Sequence, residues 1–127
     1  MTIENIYETA LYLAEKCDDS TGFVDNEYKN QHKMKAKEII KQGIIKLANI
    51  ENVSLPMRGK LDFETEVPLS SYITGVVLPC YTAAILCQQD GEMNKYNLLI
   101  YEYEKAVGGI KHDEEAYELG GILEGLV

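Results

Sequence analysis

Tryptophan is absent from this 127-residue chain, and phenylalanine, histidine, proline and cysteine are scarce, at two, two, three and three residues. Each shortage excludes something. An odd count of three cysteines does not make a disulfide framework. Helical spacing sets Cys80 and Cys87 about 10 Å apart along one axis, beyond the roughly 7 Å that a disulfide can bridge. They read as buried apolar thiols in a reducing cytosol. The two histidines, His32 and His112, neighbour no cysteine or serine in a nucleophile setting. There is no CxxC, no HxxxH and no glycine-rich phosphate loop. No cofactor, metal site or catalytic residue is therefore expected.

Positive charge is also short. Twelve lysines and arginines face 21 aspartates and glutamates, for a net charge of −9. That balance argues against a simple nucleic-acid binder, which needs basic surface to displace counterions. It argues equally against adsorption to anionic membranes. Met1 to Glu8 has no basic region leading into an apolar run, so no secretory leader is expected there. Val67 to Gln89 is 23 residues without a charge, long enough to span a bilayer by length alone. Its strictly apolar part, Val76 to Cys87, is too short and holds Pro79 and Thr82. Its flanks are acidic, with no basic anchor. A buried core helix is the expectation.

What is present is ordinary globular material, 46% hydrophobic and 26% charged, which excludes wholesale disorder. A chain of this size buries about two-thirds of its unfolded surface, so one domain over 1–127 is expected. Thr2 can cap a first helix running to about Cys17, with Ile3, Ile6, Tyr7, Ala10, Leu11, Ala14 and Cys17 at helical spacing. Asp18 to Gly22 ends it. A second helix is expected over about 26–49, with Ala36, Ile40, Gly43, Ile44 and Leu47 facing the core. Lys29, Lys33, Lys37 and Lys41 recur every four residues along one side. Residues 29–46 hold six lysines and one acid, Glu38, so this stretch is a basic helix in an acidic protein.

Residues 50–68 carry no helical period. They suggest a long loop or a weak hairpin turning at Arg58-Gly59-Lys60. Asp62, Glu64 and Glu66 would share one face of a strand there, where they could hold a divalent cation; a solvated strand face is the plainer alternative. Pro68 and Ser70 or Ser71 open a third helix, apolar nearly all round, as the centre of a small bundle should be. Pro79 falls inside it. A helical proline clashes with the carbonyl four residues back, which belongs to Gly75. A kinked helix, or two short helices meeting near Leu78, follows. After the turn at Gln89 to Glu92, a fourth helix runs from about Met93 to Val107, with a left-handed stop at Gly108-Gly109.

The segment 110–127 changes character. Lys111 to Glu118 could form one or two further helical turns; beyond them Ile122, Leu123, Leu126 and Val127 sit among Gly120, Gly121 and Gly125, an arrangement that suits an extended arm docking on a neighbouring subunit, with a disordered end or an arm folded back on its own core as the alternatives. Nine tyrosines add a second interface signal. Tyr96 and Tyr103 share the core-facing stripe of the fourth helix, whereas Tyr101 points elsewhere, and a ring with a wet hydroxyl suits protein contacts. The candidate interface residues are thus Lys29, Lys33, Lys37, Lys41, Tyr101, Ile122, Leu123, Leu126 and Val127. The fold class is mainly α, a bundle of four to five helices.

Val77 to Leu86, then Gln89-Asp90-Gly91-Glu92, then Tyr96 and Tyr101-Glu102-Tyr103-Glu104 resemble the small helical head–tail connector, or head-completion, proteins of tailed bacteriophages and prophages. The opening Met1 to Tyr7 is similar to the start of such proteins. The resemblance implies a non-catalytic ring below a portal protein, in contact with other neck and tail proteins, with DNA passing through an acidic channel without specific binding. It implies a place in the virion neck or the host bacterial cytoplasm, and a subunit that can be monomeric before assembly. Two other classes stand beside it. One is a cytosolic helical interaction or regulatory module, including an acidic mimic of DNA. The other is a small metal-dependent hydrolase. For the latter, the carboxylate pairs of all-α nucleotide pyrophosphatases offer a comparison that fails here, because Glu15/Asp18 and Glu115/Glu118 come in the reverse order at helix edges.

Overall fold

The structure, a computed structural model, describes residues 1–51 and 62–125, with side-chain placements as far as Ile110. Five α-helices carry the described chain: α1 (Ile3–Leu13), α2 (Asn26–Gln31), α3 (Lys33–Glu51), α4 (Leu78–Gln89) and α5 (Met93–Gly125), with a π turn at Ile73–Val77 leading into α4. No strand occurs among the described residues, where pairing is confined to two isolated bridges, Thr2 with Glu66 and Cys17 with Val24. No helix there is long and apolar enough to cross a membrane.

α1 begins where Thr2 accepts the Asn5 amide while Asn5 returns a bond to the Thr2 amide, a reciprocal cap. It ends at Leu13, earlier than the apolar spacing suggests. Glu15 takes the left-handed conformation at φ +59°. The amides of Glu15 and Lys16 then bond the carbonyls of Tyr12 and Leu11 and close the helix. Ala14 stays buried beyond the stop and Cys17 half-buried, so burial there outlasts the helix.

The expected helix over 26–49 is two helices. His32 leaves the helical path at φ −103° and ψ 6°. Its ring stacks on Tyr28 with centroids 3.8 Å apart, and its Nδ1 lies 2.9 Å from the Tyr28 carbonyl. α3 then resumes and buries Ala36, Ile39, Ile40, Gly43, Ile44, Leu47 and Ala48.

The central helix bends as the proline demands. Ser70 caps its start by accepting the Ile73 amide. Pro79 has no N–H to return to Gly75, and the helix widens just before it. In the π turn the Leu78 amide reaches Ile73, five residues back. Pro79 then sits in the first turn of α4, where a missing donor costs nothing. Thr74 and Thr82 are fully buried and satisfy their hydroxyls on the carbonyls of Ser70 and Leu78.

Contacts at the two ends fix the topology. At one end Val67 bonds the Met1 carbonyl, and Ser70 bonds Glu51. At the other, Lys16 and His32 meet Asp90. So α1 and α4 run one way, and α3 and α5 run the other. The core unites Ile3, Ile6, Tyr7, Leu11, Ile40, Ile44, Leu47, Ile73, Leu78 and Leu86. A second, smaller-residue seam of Ala10, Ala14, Ala83 and Cys87 lets α1 and α4 approach closely under Tyr96 and Leu99.

α5 contradicts the expected glycine stop. Gly108 and Gly109 are both helical, since the positive-φ glycines described are Gly22 and Gly91 alone. Nor is the segment after Ile110 an extended arm, because α5 continues through Gly125. Once α5 is nucleated by its packed first half, adding residues costs little, and two glycines at about 1 kcal/mol each do not end it. The turn expected at Arg58-Gly59-Lys60 lies outside the described residues, as do Leu126 and Val127.

Candidate interaction surface

α3 has two faces. The core face is closed. On the opposite side Met34, Glu38, Lys41 and Ile45 fall in one line by helical spacing, with Met34 70% and Ile45 50% exposed. Large apolar side chains held in water beside a lysine are the composition of a docking strip. Lys41 is among the residues expected at an interface from sequence; Met34 and Ile45 are not. Their signal was there, as two apolar residues opposite the core stripe.

The four lysines expected as one stripe have separate surroundings. Lys29 is engaged within the chain, bonded to Glu4 at 2.6 Å and Glu8 at 2.8 Å on α1. Burial opposes its charge, but these two bonds outweigh burial and raise its pKa. Lys33 and Lys37 lie over the Phe63 ring, at 4.7 and 5.8 Å from its centroid. Lys41 points to solvent.

α5 likewise turns Tyr96, Leu99, Tyr103, Ala106 and Ile110 inward. Tyr103 tilts against Tyr81 at 5.3 Å. Leu98 and Tyr101 face out, 69% and 62% exposed. Beside them runs an open groove of about 300 Å³ between the π turn and α5, lined by Tyr72, Val76, Cys80, Glu102, Lys105 and Ala106. Burial, with Glu102 adding to it, pushes the Cys80 thiol up. It therefore stays protonated near neutrality and is a poor nucleophile. Ile122 and Leu123 lie farther along α5.

A polar cluster ties the opposite end together. Tyr28 donates to Asp90 at 2.6 Å, Lys16 bonds Asp90 at 3.0 Å and also pairs with Glu92, and Lys95 joins Glu92 at 2.9 Å. Burial resists the Asp90 charge, but the bonds from Tyr28 and Lys16 overcome it and lower its pKa. Tyr28 is driven the other way, chiefly by burial and then by Asp90. Every charge is matched, so the cluster serves to clamp the α4–α5 turn onto α2 and the end of α1.

The carboxylates between α3 and α4 do not line one strand face. Asp62 caps its own turn, accepting from Glu64 and Thr65. Glu66 pairs with the N-terminal ammonium at 3.1 Å. Among the described residues no three of His, Cys, Asp and Glu gather as metal ligands. No protein-family model, curated protein or solved structure matches the chain.

Proposed function

We propose that this chain is a structural assembly subunit of the head–tail connector kind, which forms a ring under a portal protein and lets DNA pass through an acidic channel. One observation carries the assembly reading: apolar side chains stand in water on two outward helix faces, Met34 and Ile45 on α3 and Leu98 and Tyr101 on α5. Faces of that kind are costly in a monomer and useful in a contact. The net charge of −9 supports passage of DNA without adhesion, because an acidic wall repels phosphate. The phage assignment rests on the resemblance carried by Val77 to Leu86 and the Tyr-Glu helix that follows. In this reading the partners are the portal and other neck or tail proteins, and the place is the virion neck or the host bacterial cytoplasm.

The acidic balance also favours a second reading, a helical module that binds a basic DNA-binding protein. Electron microscopy of the chain mixed with portal protein separates the two. A collar of ordered subunits on the portal is the expected result. Absence of any complex with portal, together with binding to a DNA-binding protein, would select the module instead.

A further inference from the structure

We propose that the acidic turn between α1 and α2 of one copy of this chain docks, through Phe23, on the outer strip of α3 of a second copy. This contact rests on the assembly reading and names the two surfaces that meet.

Three observations carry it. The first is exposure at both surfaces. Phe23 and Met34 are each 70% exposed, and Ile45 is 50% exposed. Phe23 stands on an ordered turn. The Asp18 amide donates to the Phe23 carbonyl at 2.7 Å, and the Gly22 amide donates to the Asp18 carbonyl at 2.8 Å. Cys17 and Val24 pair as a bridge across its base. The Asp18 carboxylate accepts the Ser20 amide and hydroxyl inside it. An aromatic ring held in water on a fixed backbone has little freedom left to lose, so its burial favours a contact.

The second is charge. Residues 18–27 hold Asp18, Asp19, Asp25 and Glu27 and no lysine or arginine. Asp19 and Glu27 are exposed and stand on either side of Phe23 in the chain. On α3 the exposed Lys35 and Lys41 fall on opposite sides of the line from Met34 to Ile45, by helical spacing. Glu38 is the acid on that line. An apolar line between lysines thus faces an aromatic ring between acids, and each surface supplies the charge that the other lacks.

The third is that the two surfaces do not cover each other within one copy. Phe23 and Met34 both stay in water. The Asp25 amide donates to the Lys16 carbonyl at 2.9 Å and fixes the turn against the end of α1 instead. The complement is therefore supplied between copies. Exchange in both directions gives a dimer. Exchange in one direction leaves a turn and a strip open, and copies then close into a ring or grow as a chain.

The test uses the full chain without portal. A chain that stays monomeric alone and still forms a collar on portal would sink this contact and leave the connector reading standing. Sedimentation velocity at low ionic strength should show concentration-dependent association, to dimers or larger species, that salt weakens. Phe23→Ala should weaken it at least about tenfold, as loss of an aromatic anchor does. Lys35→Glu with Lys41→Glu should weaken it by a similar factor, and so should Asp19→Lys with Glu27→Lys. The second pair is the sharper probe, because it makes the chain less acidic and so reduces general repulsion between copies. Mixing the two charge variants should restore association, since each then offers a complementary surface to the other. Circular dichroism of each variant should match the parent, as every substituted side chain is exposed. Carbodiimide cross-linking of mixed heavy- and light-isotope parent copies needs no substitution. It should join Asp19 or Glu27 of one copy to Lys35 or Lys41 of another. Three results would overturn the contact: a parent chain that stays monomeric, turn variants that associate as the parent does, or cross-links from Asp19 and Glu27 found only within one copy.

Discussion

The hydroxyl of Tyr72 occupies the space that a methyl group on residue 109 would need. It donates to the Ala106 carbonyl at 2.9 Å, and a Cβ on Gly109 would stand 2.7 Å from it. The contact bolts the π turn to α5 at the edge of the groove. Gly109→Ala should therefore destabilise the fold, by about 1–3 kcal/mol, despite alanine's better helix propensity. Gly108→Ala, whose methyl meets nothing, should stabilise it by up to about 1 kcal/mol. Adding Tyr72→Phe to Gly109→Ala should recover part of the loss, because the obstructing oxygen is gone. Thermal unfolding of the parent, Tyr72→Phe, Gly109→Ala and the double variant as a cycle checks this, and additive effects would sink the steric account.

Gly43 makes the same point inside the core. A Cβ there would lie 2.6 Å from a Leu78 methyl and 2.9 Å from the Tyr81 ring. α3 and α4 approach through that gap. Gly43→Ala is expected to cost about 1–3 kcal/mol by overpacking. A chemical denaturation midpoint equal to the parent's would show that Leu78 and Tyr81 can yield.

Glu15 holds a backbone conformation that side chains resist. Its pair with Lys95 is long, 3.5 Å, and the Glu15 side chain is exposed, so the charge contributes little. Glu15→Gly should raise stability by up to about 1 kcal/mol, and Glu15→Val should lower it by a similar amount. A valine variant with an unchanged melting temperature would contradict the strained closure of α1.

Acid should release the clamp at Asp90. Its pKa is lowered in the folded protein, so its contribution is complete above the unfolded value of about 3.9 and is lost as pH falls through the lower native value. Asp90→Asn should cost about 1 kcal/mol at neutral pH and leave a shallower decline in stability on acidification. Denaturation measured across the acid range checks both. Equal slopes for parent and variant would assign the acid sensitivity to other carboxylates.

The helices were legible wherever apolar spacing and a local stop or cap agreed. Thr2 with Asn5, and Pro79 four residues after Gly75, are such cases, since backbone hydrogen-bonding rules act within a few residues. The break at His32 was not legible, because it depends on an aromatic stacking and on Asp90 far along the chain. Gly108-Gly109 misled for a related reason. A glycine pair permits a left-handed stop without requiring one, and Tyr72 explains the absence of a side chain at 109. Among the surface residues, spacing alone separated Tyr101 from the core stripe, but it could not tell Lys29, held by α1, from Lys41, left to water.

Sequence by itself determined the class: a mainly helical bundle around a greasy, proline-bent centre, acidic except along one helix. Periodicity and composition are local properties, and they suffice for that. Tertiary structure decided which lysines stay available and which apolar residues remain in water. Those are outcomes of which surfaces the packing covers, and covering is settled between residues distant in the chain.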